Sequence, residues 1–319
     1  MCRLLNGVAA FTLLVAGSAS AQSSLPLNYR SSSASGFYIN GYTDLSYGRF
    51  PTGGTRTLLI GEVDMGVRPD GGGLGFSLGI DGFTFTSSSG DMGRVALYPA
   101  LTFDTDFGRF SAGVPRSVLD RGYVAPLDFV GSRQFRLQFL QISGSATAFV
   151  YLFNHDQPVG IRYDASFGPT SIGASLHHIQ SGVNVLAVAI RHEFQQIGSP
   201  YRFAAFAGFE TGRSTGAGAT NKTNYIVGVE GGTERLNAGL NFRRYDVPAG
   251  AGATTAYVEY IIRNVTLSAA VMGVNGGATQ YGVGAEYRFN DNLHANLSIT
   301  DNSAAGFNPM YELMVGWRF

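Results

Sequence analysis

The last ten residues, Met310-Tyr-Glu-Leu-Met-Val-Gly-Trp-Arg-Phe319, decide how the rest of the chain is read. Tyr311, Leu313, Val315, Trp317 and Phe319 fall on one parity, and Glu312, Met314, Gly316 and Arg318 on the other. Successive side chains of a strand point to opposite sides, so this stretch is a strand with an apolar face and a polar face.

The same division recurs upstream. In 57–67, Leu59, Val63 and Met65 oppose Glu62 and Asp64. In 74–85, Leu74, Phe76, Leu78 and Ile80 oppose Asp81. In 160–167, Ile161, Tyr163, Ala165 and Phe167 oppose Arg162 and Asp164. In 280–289, Tyr281, Val283, Ala285, Tyr287 and Phe289 oppose Glu286 and Arg288; in 293–300, Leu293, Ala295, Leu297 and Ile299 oppose His294, Asn296, Ser298 and Thr300. One face stays free of charge in strand after strand. On a lipid-facing wall a charge near the midplane would cost about 2–4 kcal/mol.

Alternating segments lie near 37–47, 57–67, 74–85, 95–104, 107–114, 134–142, 146–153, 160–167, 170–178, 184–194, 201–211, 223–231, 235–245, 254–262, 265–273, 280–289, 293–300 and 310–319. No helical apolar stripe of useful length is evident. Short connections such as 68–73, 143–145, 168–169, 231–234, 263–264 and 290–292 alternate with longer ones such as 86–94 and 212–222. Short turns on one rim and longer loops on the other describe a transmembrane barrel. Strand-end aromatics Tyr47, Tyr260, Tyr287, Trp317 and Phe319 suit interfacial girdles.

Composition agrees. Charged residues make up 14% of the 319, against about 25% in ordinary soluble domains. A soluble β-sandwich also alternates, but its outer faces normally carry Lys and Glu. Here Lys222 is the sole lysine. Formal net charge is zero, which argues against nucleic acid as a partner, since that calls for a basic patch.

Residues 1–21 have the form of a signal peptide. Arg3 precedes an apolar run from Val8 to Ala16, and Ala19-Ser20-Ala21 matches a cleavage site. The mature barrel domain is expected to be 22–319. The only cysteine, Cys2, lies in the leader, so no disulfide or cysteine metal site is expected.

The longest connection is Pro115–Arg133, PRSVLDRGYVAPLDFVGSR. It follows Asp104-Thr-Asp-Phe-Gly-Arg-Phe-Ser-Ala-Gly-Val-Pro-Arg-Ser117. This stretch resembles the general diffusion porins, in particular the alphaproteobacterial, Rhodobacter-like group. The C-terminal strand likewise resembles the last strand of outer-membrane barrels. The resemblance implies an all-β transmembrane antiparallel barrel, usually of sixteen strands and trimeric, with a long third loop folded inward. The segments above number about eighteen; sixteen is the expectation and eighteen the alternative. It further implies the lipid bilayer and lipopolysaccharide as surroundings, and the barrel assembly machinery as a partner recognising Phe319. Finally, it implies a constriction where loop charges face wall charges. The loop offers Arg116, Asp120, Arg121, Asp128 and Arg133; the early wall offers Asp44, Glu62, Asp64 and Asp81. A sixth strand adds Arg136, and Arg162 and Arg243 lie further along. Opposed charges in a narrow opening create a transverse field that orients polar solutes.

Other chemistry is sparse. His177-His178 are neighbours on a strand and point to opposite faces, a poor metal site. Asp104-x-Asp106 offers oxygen ligands for calcium, against the plainer reading of a capped turn. Nucleotide loops, G-x-S-x-G and HExxH are absent, and no cofactor is expected. Three functions stay open: a non-specific porin, a substrate-selective channel for sugars with an aromatic track, and a barrel enzyme or adhesin.

Overall fold

The computed structural model describes residues 36–50, 54–88, 90–120, 122–124, 129–138, 145–195, 198–214, 221–246, 250–304 and 308–319. The leader 1–21 lies outside them. Sixteen strands are found among the described residues: β1 (Gly36–Arg49), β2 (Thr55–Arg68), β3 (Gly73–Ser87), β4 (Gly90–Thr105), β5 (Gly108–Gly113), β6 (Pro158–Phe167), β7 (Thr170–Ile179) and β8 (Val183–Gln195), then β9 (Arg202–Ser214), β10 (Asn221–Gly232), β11 (Leu236–Tyr245), β12 (Ala251–Ile262), β13 (Val265–Val274), β14 (Gln280–Arg288), β15 (Leu293–Asn302) and β16 (Met310–Arg318). Each pairs antiparallel with its chain neighbours, and β16 returns to β1 to close the barrel.

Closure reaches the last residue. The Gly41 N–H donates to Phe319 O at 2.9 Å, and the Phe319 N–H donates to Gly41 O at 3.1 Å. A closed barrel leaves no strand edge for lipid to desolvate, which is why sheets cross membranes only in this form.

The alternation survives as two surfaces. Leu45, Leu101, Ile161, Leu240, Val283, Leu297 and Leu313 are exposed on the outside, while Asp44, Arg162, Asn241, Asn296, Ser298 and Glu312 are buried inside. Tyr260, Tyr287 and Trp317 stand outward near the rim of short turns, as girdle residues should. His177 is buried and its neighbour His178 exposed, as strand geometry requires.

In two segments read as strands, the described residues are helical. Residues 134–142 and 146–153 overlap α1 (Arg133–Gln138) and α2 (Ala146–Asn154). In the first, the order Gln-Phe-Arg-Leu-Gln imitates a period of two. The second is a continuous apolar run, which periodicity alone cannot assign. Side-chain capping settles both. The Ser132 hydroxyl accepts from the Phe135 N–H at 3.1 Å, and the Ser145 hydroxyl accepts from the Ala148 N–H at 3.0 Å. Removing these two segments brings the strand count to sixteen and lengthens the third loop to 114–157.

The remaining loops are shorter than expected. The β3–β4 ladder runs to Ser87↔Gly90 and the β9–β10 ladder to Arg213↔Asn221, which trims 86–94 and 212–222. Among the connections between the described strands, only 114–157 is long. It leaves the wall at Gly113, whose φ of 126° favours glycine. There the Val114 N–H donates to Pro99 O at 2.8 Å. Pro99 has no N–H to offer β5, and β5 stops opposite Ala100, so proline is tolerated.

Candidate functional site

The long loop touches strands all round the barrel, so it crosses the interior. Its first limb is held by Arg116, whose Nε donates to Asp64 at 3.2 Å and whose Nη1 donates to Asp81. The guanidinium also lies 4.3 Å from the centroid of the Tyr98 ring. Burial alone would lower the pKa of Arg116, but the Asp81 and Asp64 carboxylates raise it well above the usual arginine value. The carbonyls of Arg116 and Ser117 accept from Arg162, and His177 Nε2 lies 2.8 Å from Pro115 O. Asp120 joins the two limbs, accepting from the N–H groups of Ser117 at 3.2 Å and Ser145 at 2.8 Å. The Tyr123 hydroxyl donates to Asp164 at 2.7 Å; burial, and then that carboxylate, push the phenol well above its ordinary pKa.

The second limb is anchored through α1. The Glu312 carboxylate receives the Arg133 N–H at 3.1 Å, the Gln134 N–H at 3.2 Å and the Ser132 hydroxyl. These are unpaired donors of a helix start, so a wall carboxylate caps a loop helix. Arg133 Nε donates to Asp44 at 2.5 Å, and Arg136 donates to Tyr42 at 2.8 Å and to Glu62 at 2.6 Å. His294 Nε2 stands 3.4 Å from the other Asp44 oxygen. Glu210 does for α2 what Glu312 does for α1, accepting from the Ala146 N–H at 2.8 Å and Thr147 at 3.2 Å.

Apolar contacts complete the anchoring. Leu119 and Val124 pack against Ala187, Ala189, Phe206 and Ile226. Phe129 and Phe135 stack at 4.2 Å against Ala253, Ala270 and Met272. Leu137, Leu152 and Phe153 pack on Leu58, Ile60 and Phe83.

The structure thus brings Arg116, Arg133 and Arg136 into contact with Asp64, Asp81, Asp44 and Glu62. Arg136 comes from a loop helix, not from a sixth strand as expected. Arg121 and Asp128 lie outside the described residues. Asp104, weighed as a calcium ligand, accepts instead from Arg109 at 2.7 Å and Arg68 at 3.3 Å. Arg243 is buried and donates to Asn241 at 3.2 Å. Sequence reasoning missed Glu210, Tyr42, Tyr98 and Tyr123. Glu312 was legible as inward, but its capping role depends on a helix start far away in the chain.

A closed sixteen-stranded barrel with an apolar outer belt and a loop across a charged lumen defines a transmembrane channel wall. Comparison with known proteins agrees. The Gram-negative porin family model matches residues 7–306, and the chain belongs to that family. It is an outer-membrane porin, a channel for diffusion. A solved structure of a Rhodopseudomonas blastica porin variant superposes with a TM-score of 0.58 at 17% identity, covering 89% of this chain and 100% of that one. A triple mutant of the same porin gives 0.58 at 16% identity with the same coverage. At such identity the likeness shows the fold. No curated protein sequence matches.

Proposed function

We propose that this porin passes small hydrophilic solutes and ions passively and without strong preference, and that its narrowest part lies at the level of the inward loop. The carrying observation is that loop residues contact inward-facing side chains from β1 round to β16, so solute must pass the loop. The residues assigned to that constriction are Arg116, Asp120, Arg121, Asp128, Arg133 and Arg136 of the loop, and Asp44, Glu62, Asp64 and Asp81 of the wall. No covalent step or energy input is involved. Arg133 and Arg136, and Arg116 with its two carboxylates, form close pairs, which act on a passing solute as dipoles rather than as separated rings of charge.

The surrounding biology follows the same reading. Residues 1–21 direct export and are removed after Ala21. The barrel assembly machinery recognises the strand that ends at Phe319. The folded barrel sits among lipopolysaccharide as a homotrimer.

Single-channel conductance of the mature protein in a planar bilayer tests the proposal. Stepwise, salt-proportional current in groups of three supports an open trimeric channel. Silence from folded, heat-modifiable protein would sink the diffusion reading and leave a plugged barrel, an adhesin or an enzyme.

A further inference from the structure

The inner wall of β2–β4 near the loop rim differs from most of the lumen. Across most of the wall, inward arginines are neutralised by carboxylates. Arg68 and Arg109 share Asp104, Arg162 holds Asp164, Arg191 holds Glu230, and Arg288 and Arg318 share Glu286. Arg56 and Arg94 are exceptions: no described carboxylate pairs with either. The Nε of each is buried without a hydrogen-bond partner.

What surrounds these two cations is aromatic. The Arg56 guanidinium lies 4.4 Å from the centroid of Phe50 and 4.5 Å from that of Phe85. Phe85 is parallel to Phe83, with centroids 6.3 Å apart and planes within 3°. Phe83 meets Phe153 of α2 at 5.7 Å. Arg94 sits directly opposite Phe83 across the β3–β4 ladder. A strip of rings therefore runs between two unneutralised cations. Phe50, Phe85, Phe153 and both arginines are half-buried, and Arg56, Phe85 and Arg94 share the inward parity of the buried Leu58, Phe83 and Ala96 on their strands.

We propose that this strip is a binding site for planar organic anions, aromatic carboxylates above all, at the loop-side mouth of the channel. The proposal rests on the channel reading and adds to it one class of solute that the mouth binds. A flat ring stacks on Phe85 or Phe153, which the buried Phe83 backs, because aromatic faces favour offset or tilted contact. The carboxylate reaches Arg56 or Arg94, whose planar forks match it in geometry and charge. A neutral sugar would find rings here but few acceptors, since the nearby Asp81 and Glu62 are already engaged by Arg116 and Arg136.

The test is benzoate against acetate and maltose in single-channel recordings. Benzoate added on the loop side should interrupt the current at concentrations where acetate and maltose do not. Arg56→Ala with Arg94→Ala should weaken that block about tenfold, as loss of charged hydrogen bonds does. Phe85→Leu keeps an apolar side chain for packing but removes the ring, and should weaken the block about fivefold. Equal effects of benzoate and acetate, block by maltose instead, or block unchanged in both variants would overturn the site while leaving the channel intact. If folded protein carries no current, the channel reading fails on its own, and calorimetric titration of benzoate into the detergent-solubilised protein and the same variants still decides the site.

Discussion

One loop is fastened to two sides of one barrel by different means. On β1–β3 and β16 the first and second limbs are fixed chiefly by ionic contacts, with Arg133 on Asp44, Arg136 on Glu62, Arg116 on Asp64 and Asp81, and Glu312 under α1, beside the apolar patch of Leu58, Ile60 and Phe83. On β8–β14 they are chiefly apolar, with Leu119 and Val124 against Phe206 and Ile226, and Phe129 against Ala270 and Met272. The apolar side needs only shape and dryness. The ionic side needs every partner present, because a buried charge left alone pays its desolvation without return. The two sides should therefore respond differently to loss of a single side chain.

The largest effect is expected at Asp44. Asp44→Ala removes the carboxylate to which the buried Arg133 Nε donates, and which His294 also approaches. Removing one partner of a buried pair costs about 3–5 kcal/mol. Hydrogen exchange of 129–138 should accelerate accordingly, and open-channel noise should rise. Unchanged exchange would mean that Glu312 and the Phe129–Phe135 stack hold this limb by themselves.

Leu119→Ala tests the apolar side. Leu119 is 5% exposed, and truncating such a leucine costs about 2–5 kcal/mol. The expected value is near the lower end, about 2 kcal/mol, since a loop can partly relax into the space. Exchange should accelerate in 118–124 while 129–138 stays protected. Equal acceleration in both limbs would show that the loop moves as one body and that the distinction between the sides has no dynamic meaning.

How far sequence reaches follows the same division. The outer face was legible because lipid imposes a rule on every strand: no charge outward, repeated at period two. Leu297 between Asn296 and Ser298 reads directly. The loop obeys no such repeat. Phe135 and Arg136 mimic strand alternation, yet their neighbours are Tyr245 on β11 and Glu62 on β2, far away in sequence. The charged residues of the candidate constriction could be picked out by parity and position, but their pairing could not. Glu210 was missed, since its part is set by α2, whose Ala146 N–H and Thr147 hydroxyl it accepts from. The Arg56–Phe85 strip escaped notice because its rings come from one strand, a loop and a helix, and its cations from two further strands.

A paired replacement sharpens the comparison. Asp44→Leu with Arg133→Met converts an ionic contact into an apolar one of similar bulk. Buried ion pairs replaced by packed apolar groups are often neutral in stability. The double variant should lie within about 1 kcal/mol of the parent, far from either single variant. A loss as large as that of Asp44→Ala would show that the charges organise their neighbours, His294 in particular, beyond the pair itself.

The smallest effect is expected where the same chemistry meets water. Arg244 and Asp246 approach to 3.5 Å at the loop rim, with side chains 55% and 33% exposed. Solvent screens such a pair, and holding two side chains together costs entropy, so its net contribution is about 0.5 kcal/mol or less. Arg244→Ala should leave urea unfolding in lipid vesicles unchanged within error, while Asp44→Ala shifts loop exchange strongly. A large loss at Arg244 would mean that exposure does not separate the rim from the lumen. The contrast between the two sides of the loop would then have to be explained by something other than burial.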